Sequence, residues 1–201
     1  MVLILKNNPE VKKVDELLEK ISEMGLKTQV VGGASHTIVG LIGDTSHLIP
    51  EDFLHYEIVD TVQRISESYK AANRKMHPDD TIIDIGGRKI GGGTFSVIAG
   101  PCSVESEEQM KEVATDVKAS GASLLRGGAF KPRTSPYAFQ GLHGEGIRLL
   151  LEAKKVTGLP IVTEIMSASD LDLFADVDVI QVGARNMQNF ELLKELGHCN
   201  K

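Results

Sequence analysis

The sequence predicts an α/β protein in two parts, an N-terminal α+β domain followed by a partial (β/α)8 barrel. Three observations lead to this prediction. About 65 N-terminal residues follow the order β-α-β-β-α-β, strands alternate with amphipathic helices from Phe95 onward, and the 201 residues include 41% apolar and 25% charged residues. Such a composition is typical of a globular protein, and alternating strands and helices are typical of a parallel sheet.

The N-terminal elements follow one another in a characteristic order. An apolar run at 2–6 predicts a strand, and apolar residues at helical spacing from Val11 to Ile21 predict a helix that ends near Gly25. The next elements are a strand at 27–31, a turn at Gly32–His36, a strand at 37–42, a short helix after Pro50 and a strand at 58–65. This order is that of a ferredoxin-like domain, a fold that by itself fixes no function.

A polar segment separates this domain from the rest of the chain. Tyr69–Asp80 has no clear periodicity, and Thr81–Ile85 and Arg88–Ile90 then predict a small β-hairpin joined through two glycines. The predicted domains are a ferredoxin-like domain at 1–68, a linker with the hairpin at 69–94 and a barrel portion at 95–201.

Four βα units are visible in the barrel portion. Ser106 and Gln109 form a capping box at the start of the first helix, and Gly158 and Pro160 end the second. Strands are predicted at 95–99, 122–126, 160–164 and 178–182, and the last helix at 187–196. A closed eight-unit TIM barrel typically needs about 250 residues. The four units are therefore expected to form the first half of a TIM barrel, an open sheet, or one half of an assembly with a second copy.

Charge and composition exclude several classes of protein. The net charge of −6 argues against a nucleic-acid-binding protein, because such a protein needs a basic face. The longest apolar runs are far shorter than the roughly 20 residues that span a bilayer, and the N terminus has no secretory pattern. A cytoplasmic location is expected, where Cys102 and Cys199 would be buried thiols, reactive thiols or metal ligands rather than a disulfide.

The segments after the strands hold the candidate site residues, because parallel βα folds bind ligands at the C-terminal ends of their strands. The first strand leads to Cys102, either a structural thiol or, given partners, a functional one. The second leads to Arg126, Lys131 and Arg133 among glycines and prolines. This pattern suits the binding of phosphate or carboxylate, and a solvated basic loop is the alternative.

The third and fourth strands add a carboxylate and another arginine. Glu164 either orients a water molecule or pairs with an arginine, and Arg185 follows the fourth strand among small residues. Four positive side chains are therefore expected at one barrel mouth, which predicts a substrate with two phosphates or with a phosphate and a carboxylate. The six histidines, His143 among them, are expected to have surface roles.

Four motifs, taken in order, resemble those of a known enzyme family. They are Ile98–Glu105 (IAGPCSVE), Leu125–Tyr137 (LRGGAFKPRTSPY), Phe139–Gly141 (FQG) and Gly183–Phe190 (GARNMQNF). With the N-terminal domain they resemble the 3-deoxy-7-phosphoheptulonate (DAHP) synthases that carry a ferredoxin-like domain, and the resemblance covers essentially the whole chain. That family condenses phosphoenolpyruvate with erythrose 4-phosphate in the first step of the shikimate route to aromatic amino acids.

The resemblance implies two substrate subsites at the barrel mouth. The phosphoenolpyruvate site would consist of Arg126, Lys131 and Arg185 with the backbone near Ala184. The erythrose 4-phosphate site would consist of Lys131, Pro132, Arg133 and Thr134. In this reading Arg133 faces the sugar phosphate, and the cations hold both substrates in the geometry of attack.

The resemblance also implies catalytic and metal-binding roles. Lys131 and Glu164 would be catalytic, with Glu164 positioning the attacking water, and Cys102 would be a thiolate ligand of a divalent metal ion of the Mn, Fe, Co or Zn type. The family's other metal ligands, a His, a Glu and an Asp, have no counterpart here, because the resemblance stops in mid-barrel. The chain alone is therefore expected to be inactive or very weakly active.

The sequence also leads to expectations about regulation and assembly. The resemblance implies an aromatic amino acid as a possible inhibitor, and free strand edges in a partial barrel predict a homo-oligomer.

The nearest alternative is 3-deoxy-manno-octulosonate 8-phosphate synthase, which uses a five-carbon sugar phosphate; the Lys131–Thr134 run and the N-terminal domain favour the four-carbon substrate. The other alternative is a non-catalytic regulatory or binding fragment.

Overall fold

A computed structural model of the chain describes residues 1–32, 36–65, 69, 72–76 and 79–201. The chain divides into two compact units, Met1–Thr81 and Ile82–Lys201. The division falls inside the segment predicted as a linker, and the domain limits proposed from the sequence stay a prediction. Parts of the predicted turn at Gly32–His36 and of the polar segment Tyr69–Asp80 lie outside the described residues.

The first unit contains an antiparallel sheet and two helices. Its elements are β1 (Val2–Leu5), α1 (Val11–Glu23), β2 (Lys27–Gly32), β3 (Thr37–Ile42), α2 (Glu51–Leu54) and β4 (Val59–Gln63). The strand order is β2-β3-β1-β4, with Leu3 of β1 paired to Val39 of β3 and Val62 of β4. The predicted β-α-β-β-α-β order is confirmed.

Apolar side chains on both faces of the sheet hold this unit together. Leu17 and Ile21 of α1 are fully buried in the larger cluster, while Val2 and Met76 belong to a second small cluster. Helix α1 ends where the prediction has it, because Gly25 adopts a left-handed φ of 76° that most residues avoid.

The second unit contains a parallel sheet. Its strands and helices are β5 (Ile83–Ile85), β6 (Arg88–Ile90), β7 (Ile98–Ala99), α3 (Glu107–Ala119), β8 (Leu124–Arg126), α4 (Gly144–Thr157), β9 (Ile161–Ile165), β10 (Val179–Val182) and α5 (Phe190–Gly197). Strands β5 and β6 form the predicted hairpin. Strands β7 to β10 are parallel and lie side by side in chain order, as expected for successive βα units.

Three predicted elements differ from the structure. The first barrel strand is shorter than the predicted 95–99, and Phe95 is 93% exposed. A 3₁₀ helix at Ala168–Phe174 connects β9 to β10 in place of an α-helix. The last helix begins at Phe190 rather than at 187, because the Asn189 side chain accepts a hydrogen bond from the Leu192 N–H and caps it.

Helices α3, α4 and α5 contribute side chains to the core of the parallel sheet. Ser106 Oγ accepts from the Gln109 N–H at 3.1 Å, and Gln109 Oε1 accepts from the Glu105 N–H at 3.0 Å, which confirms the predicted cap of α3. Leu150 of α4 is fully buried against the sheet residues in one continuous core. Because the four strands are parallel, their C-terminal ends lie along one edge of the sheet. No helix among the described residues is long and apolar enough to cross a membrane.

Candidate active site

Charged and polar side chains from all four parallel strands lie at this C-terminal edge. Arg126 is the last residue of β8, and Glu164 is the penultimate residue of β9. Cys102 follows β7, and Arg185 lies in a short 3₁₀ turn that follows β10. The candidate residues that the sequence places after the strands therefore lie at or just beyond the C-terminal ends of those strands.

Arg126 is held by three neighbours. Its Nη1 donates to the carbonyl oxygen of Cys102 at 2.9 Å and to that of Pro101 at 3.3 Å, while its Nε donates to Gln181 Oε1 at 3.2 Å. Its Nη2 lies 4.0 Å from Glu164 Oε2 and makes no hydrogen bond with a described residue. Three hydrogen bonds thus fix the guanidinium, and its Nη2 faces the Glu164 carboxylate at ion-pair distance.

Lys131 approaches the same loop from the other side. Its ammonium group donates to the Cys102 carbonyl oxygen and lies 3.6 Å from Cys102 Sγ, although the side chain is almost fully buried. Gly128 makes this approach possible, because a Cβ there would lie 2.4 Å from the Cys102 oxygen and 2.5 Å from Lys131 Nζ. Arg126 and Lys131 therefore share one acceptor, which brings two positive charges together.

Glu164 is 9% exposed and closely confined. Gln181 Nε2 donates to Glu164 Oε2 at 3.1 Å. On its other side the carboxylate lies against Gly183, where a Cβ would come within 1.9 Å of Glu164 Oε1. The fold therefore gives this carboxylate one defined position beside Arg126.

A cavity of about 450 Å³ opens next to these groups. Its lining includes the predicted residues Lys131, Pro132, Arg133, Thr134 and Arg185. Arg185 Nη1 donates to the Pro132 carbonyl oxygen at 2.7 Å, which joins the end of β10 to the loop after β8. The neighbouring Ala184 is exposed and lies outside the cavity lining. Three of the four predicted cations therefore face one cavity, and Lys131 links it to Arg126.

The donor set at this mouth does not by itself fit a divalent metal ion. Cys102 is an exposed free thiol beside an ammonium group. Among the described residues, no group of three or more His, Cys, Asp or Glu side chains is placed to hold a metal ion. A protein zinc site generally uses three or four protein ligands. The described residues at this mouth do not bring three such ligands together.

Sequence reasoning missed several polar residues of the site. Gln181 lies inside β10, two residues before Gly183. Only the alternation of side chains along a strand indicates that it is on the same face as position 183. Gln140, Asp170 and His143 line the cavity. His143 is solvent-exposed, as expected, and adopts an unusual φ of 53° at the start of α4.

Comparisons with known families identify proteins to which this chain is similar. A family model described as "DAHP synthetase I family" matches residues 62–201, and one described as "DAHP synthase ferredoxin-like domain" matches residues 1–67. A phospho-2-dehydro-3-deoxyheptonate aldolase of Thermotoga maritima is 42% identical over 202 residues, which cover 100% of this chain and 60% of that protein. A 2-dehydro-3-deoxyphosphooctonate aldolase of Citrifermentans bemidjiense is 34% identical over 131 residues, covering 59% of this chain and 47% of that protein.

Two solved structures are also similar. The crystal structure of the Thermotoga maritima aldolase (DAHP synthase) matches with a TM-score of 0.63 and 41% identity, covering 98% of this chain and 58% of that one. A truncated form of 3-deoxy-D-arabino-heptulosonate 7-phosphate synthase from Thermotoga maritima matches with a TM-score of 0.57 and 42% identity, covering 65% and 47%.

These matches confirm the predicted fold class, a ferredoxin-like domain followed by a partial TIM barrel. The chain spans about 60% of the length of its Thermotoga maritima relative. Because the family models together cover it from Met1 to Lys201, the chain belongs to the DAHP synthetase I family and carries that family's N-terminal ferredoxin-like domain.

Proposed function

We propose that this chain provides the substrate-binding mouth of a DAHP synthase, an enzyme that joins phosphoenolpyruvate to erythrose 4-phosphate. One observation carries the proposal: Arg126 and Lys131 donate to the same carbonyl oxygen of Cys102, and Arg185 reaches the adjoining loop. The protein has a net charge of −6, yet these cations are clustered at one edge of the sheet, where they repel one another. Binding of a strongly anionic substrate would offset this repulsion.

Phosphoenolpyruvate fits the part of the mouth around Arg126 and Lys131. The ligand carries a carboxylate and a phosphate, and Arg126 Nη2 lies 4.0 Å from Glu164 Oε2 without donating a hydrogen bond to a described residue. Charge-assisted hydrogen bonds from guanidinium and ammonium groups are the strong ones in proteins. We assign Arg126, Lys131 and Arg185, with the backbone at Ala184, to this subsite.

Erythrose 4-phosphate fits the adjoining cavity. Lys131, Pro132, Arg133 and Thr134 line it, and Arg133 supplies an exposed guanidinium for the sugar phosphate. The volume of about 450 Å³ lies within the range of small-molecule sites, roughly 300–1,000 Å³. Lys131 lies between the two subsites and is assigned to both.

The proposed reaction uses the confined carboxylate as well. C3 of phosphoenolpyruvate forms a bond to the aldehyde carbon of the sugar, whose oxygen gains a proton, and water adds at C2 before phosphate leaves. We propose that Glu164 orients this water and accepts its proton, since Gln181 and Gly183 hold the carboxylate in one position. Lys131 would stabilise negative charge that develops nearby.

The family resemblance also brings a divalent metal ion. We propose Cys102 as its thiolate ligand, because the thiol is exposed at the mouth. The described residues do not supply the other ligands around it. The expectation that this chain alone is inactive or very weakly active follows from that incomplete donor set and stays a prediction.

Calorimetric titration of the 201-residue chain with phosphoenolpyruvate tests the assignment. Arg126→Met is expected to weaken binding by about tenfold or more, because hydrogen bonds to charged groups are worth roughly 1.5–3 kcal/mol. Arg148→Met is the matched control, since Arg148 lies on α4 and pairs with Glu145 at 2.7 Å. Equal affinities for the two variants, or no binding by the unmodified chain at millimolar ligand, would overturn the assignment.

The five-carbon alternative rests on the weaker comparison. The 2-dehydro-3-deoxyphosphooctonate aldolases to which it is similar match 51% to 59% of this chain, whereas the DAHP relative matches all of it. Parallel titrations with erythrose 4-phosphate and arabinose 5-phosphate separate the two functions. Preference for the five-carbon sugar would favour the alternative. Binding of neither sugar phosphate would favour a non-catalytic fragment.

Regulation, assembly and location stay proposals. We propose that the ferredoxin-like domain senses an aromatic amino acid, that the chain forms a homo-oligomer and that it acts in the cytoplasm, as the family resemblance implies. Titration with tyrosine and with phenylalanine tests the first, and absence of heat from both counts against it. Sedimentation velocity tests the second, and a monomer at micromolar concentration counts against it.

A further inference from the structure

Gln181 joins two charged side chains that come from other strands. It lies on β10 opposite Glu164 of β9, its register partner, while Arg126 of β8 lies opposite Val162. Its amide oxygen accepts from Arg126 Nε at 3.2 Å, and its amide nitrogen donates to Glu164 Oε2 at 3.1 Å. One neutral side chain therefore bonds to both members of a charged pair.

The chemistry of the two partners fixes the orientation of this amide. An ionised carboxylate only accepts hydrogen bonds, and a guanidinium only donates them. The Gln181 nitrogen must therefore face Glu164, and its oxygen must face Arg126. A carboxylate at this position would lose the donor, and an apolar side chain would lose both bonds. Glutamine has both groups and the necessary length.

The bridged pair has an unusual separation. Arg126 Nη2 and Glu164 Oε2 lie 4.0 Å apart, longer than the roughly 2.7–2.9 Å of a charge-assisted hydrogen bond. Both side chains are mostly buried, and low dielectric strengthens their attraction. Without the two hydrogen bonds of Gln181, the energy would fall if the distance from Arg126 Nη2 to Glu164 Oε2 shortened to a direct hydrogen bond. Closure would engage Arg126 Nη2, the nitrogen that is otherwise available.

We propose that Gln181 is a positioning residue that keeps the Arg126–Glu164 ion pair from closing to a direct hydrogen bond, so that Arg126 Nη2 can donate to an anionic ligand. Identification of that ligand as phosphoenolpyruvate rests on the proposed function. The separation of the two side chains does not rest on it. A packing role alone would be served equally well by an unbranched apolar side chain of the same length.

Gln181→Met is therefore the decisive variant. In its crystal structure the distance from Arg126 Nη2 to Glu164 Oε2 is expected to fall below about 3.2 Å, the range of a hydrogen bond. Affinity for phosphoenolpyruvate is expected to fall about tenfold, because the direct pair competes with the ligand. Gln188→Met, at an exposed position, is the matched control and should change neither measurement.

A second substitution separates positioning from packing. Adding Glu164→Gln to Gln181→Met removes the charge that captures Arg126, so phosphoenolpyruvate affinity should recover relative to Gln181→Met alone. A packing defect would not be repaired in this way. Where the unmodified chain binds phosphoenolpyruvate, failure of the second substitution to restore any affinity, or unchanged affinity in Gln181→Met itself, would overturn the proposal.

The structural result decides the proposal even without a known ligand. If the unmodified chain does not bind phosphoenolpyruvate, closure of the pair in Gln181→Met still supports the positioning role, and only the proposed function fails. A pair that stays about 4 Å apart overturns it. If Gln181→Met does not fold, Gln181→Leu replaces it: the same closure of the pair is expected, and a pair that stays about 4 Å apart overturns the proposal.

Discussion

The Lys131 ammonium group and the Cys102 carbonyl oxygen form a hydrogen bond that joins the loop after β7 to the loop after β8. The same ammonium lies 3.6 Å from Cys102 Sγ, and Lys131 is only 8% exposed. A nearly buried positive charge is costly unless it has partners. Its position between the Cys102 loop and the cavity explains why Lys131 is central to the proposed site.

Lys131→Met should therefore lower the affinity of the chain for phosphoenolpyruvate. We expect a loss of about tenfold or more in affinity, because one charged donor to the ligand disappears. Lys155→Met is the control, since Lys155 is exposed on α4 and pairs with Glu152 at 2.9 Å. Calorimetry measures both variants. Equal affinity in the two would remove Lys131 from the site.

Gly183→Ala should displace the Glu164 carboxylate. A Cβ at position 183 would lie 1.9 Å from Glu164 Oε1, so the carboxylate must leave its place beside Gln181. We expect a loss of about 1–3 kcal/mol in the free energy of unfolding, as in other overpacked sites. Gly197→Ala is the control, because a Cβ there meets no atom within 4 Å. Urea unfolding compares them, and equal stabilities would contradict the close contact.

Asp178→Asn should loosen the attachment of α4 to the sheet. The Asp178 carboxylate accepts two hydrogen bonds of 2.8 Å from Lys154 Nζ and one of 2.8 Å from the Ile161 N–H at the start of β9. We expect a loss of about 1–3 kcal/mol in the free energy of unfolding, since a partly buried ammonium loses its counter-ion. Asp176→Asn, on the exposed neighbouring turn, serves as the comparison. A ranking in the opposite order would argue against this bridge.

Glu57→Gln should make the first unit less sensitive to acid. The hydrogen bond from Lys13 Nζ at 2.7 Å, and then its charge, lower the pKa of Glu57 below the ordinary value of 4.5. A carboxyl with a depressed pKa in the folded state stabilises above its unfolded pKa and loses that contribution as the pH falls through the folded pKa. The stability difference between the unmodified chain and Glu57→Gln should therefore shrink between pH 6 and pH 3. Urea unfolding monitored at several pH values measures it, and a constant difference would contradict the ion pair.

The elements that the sequence predicts well are those with local signals. Ser106 with Gln109 specifies a cap by side-chain chemistry alone, and Gly25 ends a helix because of its left-handed backbone. The sequence pattern places Phe95 at the start of a strand, yet its side chain is 93% exposed. Whether an apolar residue pairs with a neighbouring strand depends on tertiary contacts, which a local pattern does not contain.

The site was predictable where the strand ends carry charge. Arg126 and Glu164 could be found because ligands bind at the C-terminal ends of parallel strands. Gln181 could not, because a lone amide inside a strand has no distinctive motif. The role that we propose for it depends on hydrogen bonds of 3.2 Å and 3.1 Å to residues 55 and 17 positions away in the chain.

A crystal structure of the chain with phosphoenolpyruvate tests the central claim most directly. The account predicts the ligand at the C-terminal edge of the parallel strands, with its anionic oxygens within about 3.2 Å of Arg126 Nη2 and of the Lys131 ammonium. Ligand bound at another surface, with these two groups unengaged, would contradict it.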